Sequence, residues 1–180
     1  MFYTQFLMQV LMSVTRNIRV LTRYSAWANL RLFDLLKTLP AAEVNAIRKT
    51  GFGSILNTLN HSYVVDLIWK AHLESKLHGF TSRITELVPT FPELCSAQTE
   101  IDVWYVNYAD TLSEQMHDEA VAFNFVDGGS GIMTRGDMLL HVVNHKTYHR
   151  GYVADLLYQV GSRPPVMDFP VFLREDPPTL

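Results

Sequence analysis

One helical segment, residues 138–160, constrains the fold of this chain more than any other. It reads MLLHVVNHKTYHRGYVADLLYQV, and residues spaced four, three, four, three and four apart form its core-facing seam. The seam consists of Met138, Val142, His145, His149, Tyr152 and Leu156. Two imidazoles therefore occupy positions where a bundle helix normally has Leu or Val. Because burial of an unpaired polar ring is unfavourable, a bound metal ion is the leading explanation.

The pair His145 and His149 has the spacing that a metal ion needs from two ligands on one helix. Residues four apart project from the same helical face. His141 is also four residues from His145, but it lies beside the seam, about 12 Å along the axis from His149. We therefore predict that His145 and His149 are ligands and that His141 is a neighbour. The alternative is a pair of core histidines that hydrogen-bond to other helices.

Another candidate, His61, lies on an earlier predicted helix among apolar neighbours. A histidine in that setting is more often a satisfied core residue than a ligand, so its role stays open at this point. His72, His78 and His117 lie near helix ends, and we assign them no function. Lys146 follows the first histidine of the HxxxH pair, so the chain lacks the HExxH motif of zinc peptidases.

Four long helical patterns predict an all-α fold. They cover residues 16–39, 54–77, 90–117 and 134–161. Pro40 ends the first pattern, and Ser54 is a plausible N-cap for the second. The third opens with Thr90-Phe-Pro-Glu93, a capping box with a proline in its first turn. The fourth opens in a similar way at Thr134.

Two segments fall outside these helices. In residues 120–135, alternating apolar residues flank a glycine cluster, which predicts a short β-hairpin or loop before the last helix. The cluster lacks the Gly-Lys-Ser/Thr of a phosphate-binding loop. Residues 162–180 contain five prolines and no helical period. We expect this tail to lie across the surface of the bundle.

The first fourteen residues carry no charge. They are either added helical turns or an over-long start in which Met12 is the true initiator. A signal peptide is disfavoured, because no Lys or Arg precedes the apolar run and no small-residue cleavage site follows it. We predict one domain over residues 1–180, with an N-terminal extension at 1–15 and a proline-rich tail at 162–180.

Composition excludes several functional classes. The 180 residues are 48% hydrophobic and carry a net charge of −3, with no basic block. Non-specific nucleic-acid binding needs clustered Lys and Arg, so we expect no nucleic-acid partner. The lone cysteine, Cys95, excludes an intramolecular disulfide and a cysteine-rich zinc site, and it suits a reducing cytoplasm. We interpret it as a small core residue, with a reactive thiol at a helix N-terminus as the alternative.

Several motifs resemble those of the DinB/YfiT-like family of metalloenzymes, over roughly residues 18–175. The first predicted helix carries Tyr24-Ser-Ala-Trp-Ala-Asn29, and Phe52-Gly-Ser-Ile55 opens the second. His61 is followed by Asp66-Leu-Ile-Trp69. The most specific match is His145-Lys-Thr-Tyr-His149-Arg-Gly151, which has the H-x-x-x-H-R-G pattern of the family.

This resemblance implies an up-down-down-up four-helix bundle with a metal ion between its second and fourth helices. By position, the implied ligands are His61, His145 and His149. Three neutral imidazoles leave a coordination position open to water or substrate, which is typical of catalytic sites. Histidine nitrogens suit several divalent ions, of which we expect zinc or nickel.

The resemblance also implies a chemistry, since characterised relatives include transferases and isomerases that use low-molecular-weight thiols. We therefore expect a metal-dependent S-transferase acting on a small-molecule substrate. The alternatives are a metal-dependent hydrolase and a non-catalytic metal-binding or stress-response bundle. Arg150 is the candidate catalytic residue, for orienting an anionic substrate, unless it forms a structural salt bridge. Asn57, Asp66 and Tyr148 are candidate partners of the ligands.

The first and third predicted helices carry more aromatic residues than one core-facing seam can bury. These residues are Trp27, Phe33, Trp104, Tyr105 and Tyr108. Exposed apolar patches usually mark interfaces, so we expect a symmetric homodimer. We expect a cytoplasmic protein with no membrane partner, because the uncharged start of the chain is too short to span a bilayer.

Overall fold

A computed structural model describes residues 14–85 and 87–178 of the chain. Its elements, in chain order, are α1 (Val14–Leu36), α2 (Ala41–Asn45), α3 (Ile55–Leu73), α4 (Phe91–Thr111), α5 (Glu114–His117), β1 (Ala120–Asn124), β2 (Ser130–Thr134), α6 (Arg135–Gln159) and α7 (Phe169–Glu175). None of the helices in these ranges is long and apolar enough to cross a membrane. The predicted extension at 1–15 lies outside the described residues except for its last two, which belong to α1.

The four long helices form a bundle in which α1 and α3 each pack against both α4 and α6. The helices α3 and α4 run parallel, because Gln98 bonds to Asp66 while Tyr108, further along α4, bonds to the carbonyl of Leu73. The long connection at residues 74–90 makes this parallel arrangement possible.

The last helix, α6, runs antiparallel to α3. The ring of His149 lies near His61, whereas His141, two turns earlier on α6, lies against Trp69, two turns later on α3. Helix α1 runs antiparallel to α4, since Asn29 bonds to Asp102 and Arg23 bonds to Asp110. The order is therefore up-down-down-up, and the predicted all-α bundle is confirmed.

Local signals placed the helix starts well. Ser54 accepts a hydrogen bond from the Asn57 amide, and Thr134 accepts one from the Asp137 amide. The Glu93 carboxylate accepts from the Thr90 amide, as the capping box predicts. The helix ends were less accurate: α1 ends at Leu36, α3 at Leu73, and the third predicted helix divides into α4 and α5.

Two apolar clusters make up the core, one at each end of the bundle. The first packs around the end of α3 and the start of α6, with Trp69, Leu73 and Met138 among its members. The second packs around the start of α3 and the end of α6, with Ile55 and Leu156 among its members. Between them lies a layer of buried polar residues: Ser25, Asn29, His61, Asp66, Gln98, Asp102, Lys146, His149 and Arg150.

The short hairpin before α6 is present, as predicted. Strands β1 and β2 pair antiparallel, with Phe123 opposite Gly131. A Cβ at Gly131 would lie 2.5 Å from Cζ of the Phe123 ring, so the glycine leaves room for that ring. The buried Phe123 in turn contacts Trp69, at 5.1 Å between ring centroids, and this contact holds the hairpin against α3.

The proline-rich tail contains a helix that its sequence did not reveal. α7 begins just after Asp168, with Pro170 in its first turn, where a missing amide hydrogen has no cost. Phe172 is buried, and the Tyr24 hydroxyl donates to the carbonyl of Met167 at 2.8 Å. The tail therefore packs along α1, but the expectation of a non-helical segment was wrong.

Candidate metal centre

Antiparallel packing of α3 against α6 brings together three histidines in the polar layer. They are His61, His145 and His149, and one ring nitrogen from each lies within 4.8 Å of the others. Of these residues, His61 and His149 are buried and His145 is half-buried. The structure thus assembles the triad that the sequence motifs implied as metal ligands.

The spacing of the nitrogens suits a single metal ion. The Nε2 atoms of His145 and His149 face each other at 3.0 Å. Two ligands on a tetrahedral zinc ion, at bond lengths of about 2.05 Å, lie roughly 3.3 Å apart, so a small adjustment accommodates the ion. The residues present therefore fit a bound divalent cation.

His61 is held in one orientation by its surroundings. Its Nδ1 donates to the backbone carbonyl of Arg83 at 3.0 Å, which leaves Nε2 unprotonated for ligation. The Phe52 ring stacks on His61, with 4.5 Å between centroids. The predicted neighbour Asn57 contributes indirectly, because its side-chain amide donates to the carbonyl of Phe52.

All three imidazoles are neutral near pH 7. Burial, together with the neighbouring rings of His149 and His61, lowers the pKa of His145 to about 3. Burial also lowers the pKa of His149 to about 4. The pKa of His61 is lowered as well, chiefly by burial. Neutral imidazole is the form that binds metal ions, so these ligands need not lose a proton first.

His141 lies beside the triad and is not part of it. Its ring centroid is 5.7 Å from that of His145 and 4.7 Å from that of Trp69. The spacing of core residues correctly placed His141 beside the seam, but it wrongly assigned Tyr152 to the seam. Tyr152 is 36% exposed, and the core position belongs to Val153, which is fully buried. Tyr152 instead stacks over His149 on the outer side of the site.

A buried ionic network lies beside the triad, and its centre is a lysine that the sequence reasoning did not select. Lys146 Nζ lies 2.9 Å from Asp66 Oδ2 and 2.5 Å from Asp102 Oδ1. Gln98 donates to both carboxylates. The two aspartates strongly favour the charged ammonium and raise the pKa of Lys146. Asp66, predicted as a partner of the ligands, therefore belongs to this network.

Arg150 continues the network into α1. It is 4% exposed and donates to Ser25 Oγ, to Asn29 Oδ1 and to Thr147 Oγ1. This position favours the structural role over the orientation of a substrate. The sequence signal for the network was slight: Lys146 and Arg150 are four apart and so share one face of α6, but both lie off the counted seam, and their burial is visible only in the structure.

The remaining candidates have ordinary surroundings. Cys95 is buried in an apolar cluster, and burial raises the pKa of its thiol to about 11, so the core interpretation holds. Tyr148 is exposed, and its hydroxyl lies 2.8 Å from that of Tyr152. His72 lies near the end of α3 but is buried, with its ring against Trp69 and Phe123.

Two open spaces border the triad. A cavity of about 260 Å³ has His61 and His145 in its wall, together with apolar residues of α3 and the hairpin. A more polar cleft of about 350 Å³ reaches His61 from the other side, past Phe52 and Arg83. In the part of the chain that the structure describes, Asp127 is the one acidic residue that lines either space, and it pairs with Arg83 at 3.3 Å.

Comparisons with known proteins agree with this architecture. The model of the DinB family matches residues 12–179. Protein DinB of Bacillus subtilis (strain 168) is 30% identical over 158 residues, which cover 85% of this chain and 91% of the relative.

A solved structure shows the same fold. The crystal structure of a DinB-like protein from Bacillus cereus ATCC 10987 superposes with a TM-score of 0.62 at 16% identity, over 80% of this chain and 91% of the other. The family match covers nearly the whole chain, and the triad lies within it. This chain is therefore a member of the DinB family.

Proposed function

We propose that this protein is a metal-dependent enzyme, and specifically a thiol-dependent S-transferase that acts on a small molecule. The observation that carries the proposal is the histidine triad at the border of an open cavity. Three imidazoles do not complete the coordination of a divalent ion, and a remaining position is then free for a substrate. His61, His145 and His149 would hold the ion, for which we propose zinc or nickel.

A divalent ion at this site supplies a positive charge that lowers the pKa of a thiol toward neutrality. Free thiols have a pKa of about 8.5 and are mostly protonated at pH 7. In the transfer, the thiol sulfur forms a bond to carbon of an electrophile, the leaving group departs with its electron pair, and the thiol proton passes to solvent. Phe52 and Tyr152 both pack against the His149 ring and would limit the access of water to that side of the triad.

The cosubstrate, and not the protein, provides the nucleophile in this proposal. Cys95 is buried with a raised pKa, which makes it a poor nucleophile. Cys95→Ser should leave the conjugation rate within a few-fold of wild type, whereas His149→Ala should abolish it. The assay should follow conjugation of several cellular thiols to an electrophile, with and without added metal. Loss of activity in Cys95→Ser with intact metal content would defeat the mechanism.

A hydrolase is the second candidate, and a non-catalytic metal-binding bundle is the third. Among the described residues, the one carboxylate that lines the spaces beside the triad belongs to Asp127. It is already paired with Arg83, which leaves no other described acidic residue there as a general base. This favours thiol transfer over hydrolysis. Metal-loaded protein that conjugates no tested thiol would favour the two alternatives. Elemental analysis of protein purified without an affinity tag identifies the resident metal.

A further inference from the structure

The cavity beside His61 and His145 indicates what kind of molecule reaches the metal centre. We propose that its ligand is a small molecule with an uncharged aromatic or branched aliphatic body and a single metal-binding donor atom. This inference rests on the proposed function, because the donor atom requires an ion held by the triad.

The cavity wall is largely apolar. The side chains that make it so come from α3 and from the hairpin: Val65, Ile68, Trp69, Phe123, Phe125 and Val126. Aromatic contacts continue from the hairpin to the triad. Phe125 lies 5.0 Å from Phe123, which lies 5.1 Å from Trp69, as measured between ring centroids. From Trp69 the contacts pass to His141 and then to His145. Such a wall favours a ligand with an apolar body, because the transfer of apolar surface from water into the cavity lowers the free energy.

The size of the cavity limits that body. A volume of about 260 Å³ lies just below the range of about 300–1,000 Å³ that is typical of small-molecule pockets. A benzyl group with one donor atom fits this space. A large peptide-like thiol does not, although it can approach through the polar cleft on the other side of His61.

The charges nearby argue for an uncharged body. Arg83 pairs with Asp127, and Lys146 is buried between Asp66 and Asp102. Arg83 is the one Lys or Arg among the described residues that line the cavity, so a second, anionic group on the ligand would compete with Asp127 for it. A negatively charged donor atom needs no protein cation, because the metal ion itself would supply the compensating positive charge.

The test compares two thiols that share one donor atom, phenylmethanethiol and 2-mercaptoethanol. Zinc content is first measured by elemental analysis, and binding of each thiol to the zinc-loaded protein is then measured by titration calorimetry. We expect phenylmethanethiol to bind at least ten-fold more tightly, because only its ring fills the apolar cavity.

Two variants assign that preference to the cavity. Val126→Trp fills the cavity and should reduce the preference to less than three-fold, whereas Ile132→Trp, at a 73% exposed site on the same hairpin, should retain it. Phe125→Gln serves as a second probe, since its site is 47% exposed and tolerates a polar residue. It should weaken phenylmethanethiol binding several-fold and leave 2-mercaptoethanol unchanged.

The outcomes separate the two proposals. Protein that binds no divalent metal overturns the proposed function, and this inference falls with it. Metal-loaded protein that binds both thiols equally, or in which Val126→Trp and Phe125→Gln keep the full preference, leaves the metal centre standing and overturns the cavity assignment.

Discussion

At the scale of single residues, the notable feature is a set of three imidazoles in surroundings that disfavour their protonated form. The Nδ1 atoms of His145 and His149 are buried without a hydrogen-bond partner among the described residues. Their Nε2 atoms face each other, where a cation would satisfy both. Only His61 has a backbone acceptor that fixes its tautomer. A bound ion would accept the lone pairs of both Nε2 atoms, while the two Nδ1 atoms would keep their present surroundings.

The first prediction concerns the ligands. His145→Ala should lose its metal ion, because two remaining imidazoles bind a divalent cation far more weakly than three. His72→Ala is the matched control, since His72 is also buried but lies outside the triad, and it should retain one ion per chain. Elemental analysis of both proteins checks this. Full metal occupancy in His145→Ala would contradict the ligand assignment.

The second prediction concerns acid sensitivity of the metal-free protein. In the unfolded chain histidine protonates near pH 6.5, whereas folded His145 and His149 have pKa values of about 3 and about 4. The unfolded state therefore binds more protons below pH 6.5, and the free energy of unfolding falls as the pH drops from about 6.5 to about 3. We expect a loss on the order of 1–2 kcal/mol from pH 7 to pH 5, discounted for partial solvent exposure.

Urea denaturation of apo protein at several pH values measures this loss. His145→Gln removes one of the two groups, so its stability should depend less steeply on pH. Equal stability of the wild-type apo protein at pH 7 and pH 5 would show that these rings do not resist protonation in the folded state.

At the scale of the helices, the buried network fixes how α6 sits against its neighbours. Lys146 connects α6 to Asp66 on α3 and to Asp102 on α4, and Arg150 connects it to α1. These bonds resist rotation of α6 about its axis. Since His145 and His149 directly precede the two cations in sequence, the same bonds point the ligands toward His61.

The third prediction tests this network. Lys146→Met should destabilise the protein by about 3–5 kcal/mol, because two buried carboxylates lose their counter-charge. Lys37→Met, which removes an exposed lysine from its pair with Asp34, should change stability by less than about 0.5 kcal/mol. Chemical denaturation compares the two variants. A Lys146→Met protein as stable as the control would show that the network contributes little.

At the scale of the whole molecule, the expected surplus of surface aromatics is only partly present. Phe33 and Tyr105 are 3% and 2% exposed and belong to the core, so their use in predicting an interface was wrong. Apolar surface remains elsewhere, because Leu30 on α1 and Val103 on α4 are about half exposed. They line a groove of about 560 Å³ between the two helices and the C-terminal tail, which contributes Phe172, Asp176, Pro177 and Pro178.

The fourth prediction is a homodimer formed across this groove. Light scattering at micromolar concentration should give about twice 20.6 kDa for the wild type. Leu30→Glu should give the mass of the monomer, because a charge in an apolar interface is costly to bury. Leu140→Glu, at an equally exposed site on α6, should remain dimeric. A wild-type mass near 20.6 kDa would exclude the dimer under these conditions.

The sequence by itself determined the helix starts, the hairpin and the placement of His145 and His149 on one face of α6. These features rest on interactions within a few residues: caps at Ser54 and Thr134, a turn rich in glycine, and the i, i+4 spacing of His145 and His149. Motif resemblance supplied His61, which the residues around it left undecided between ligand and core histidine.

Only the tertiary structure decided which face of each helix is buried and with what. Lys146 lies off the counted seam, and only the structure shows that it is buried between Asp66 and Asp102 from two other helices. Tyr152 lies on the seam, yet Val153 occupies the core position in the structure. Both outcomes depend on how four helices rotate against one another. The rotation with the lowest free energy depends on contacts between residues that are distant in sequence, and local periodicity carries no information about those contacts.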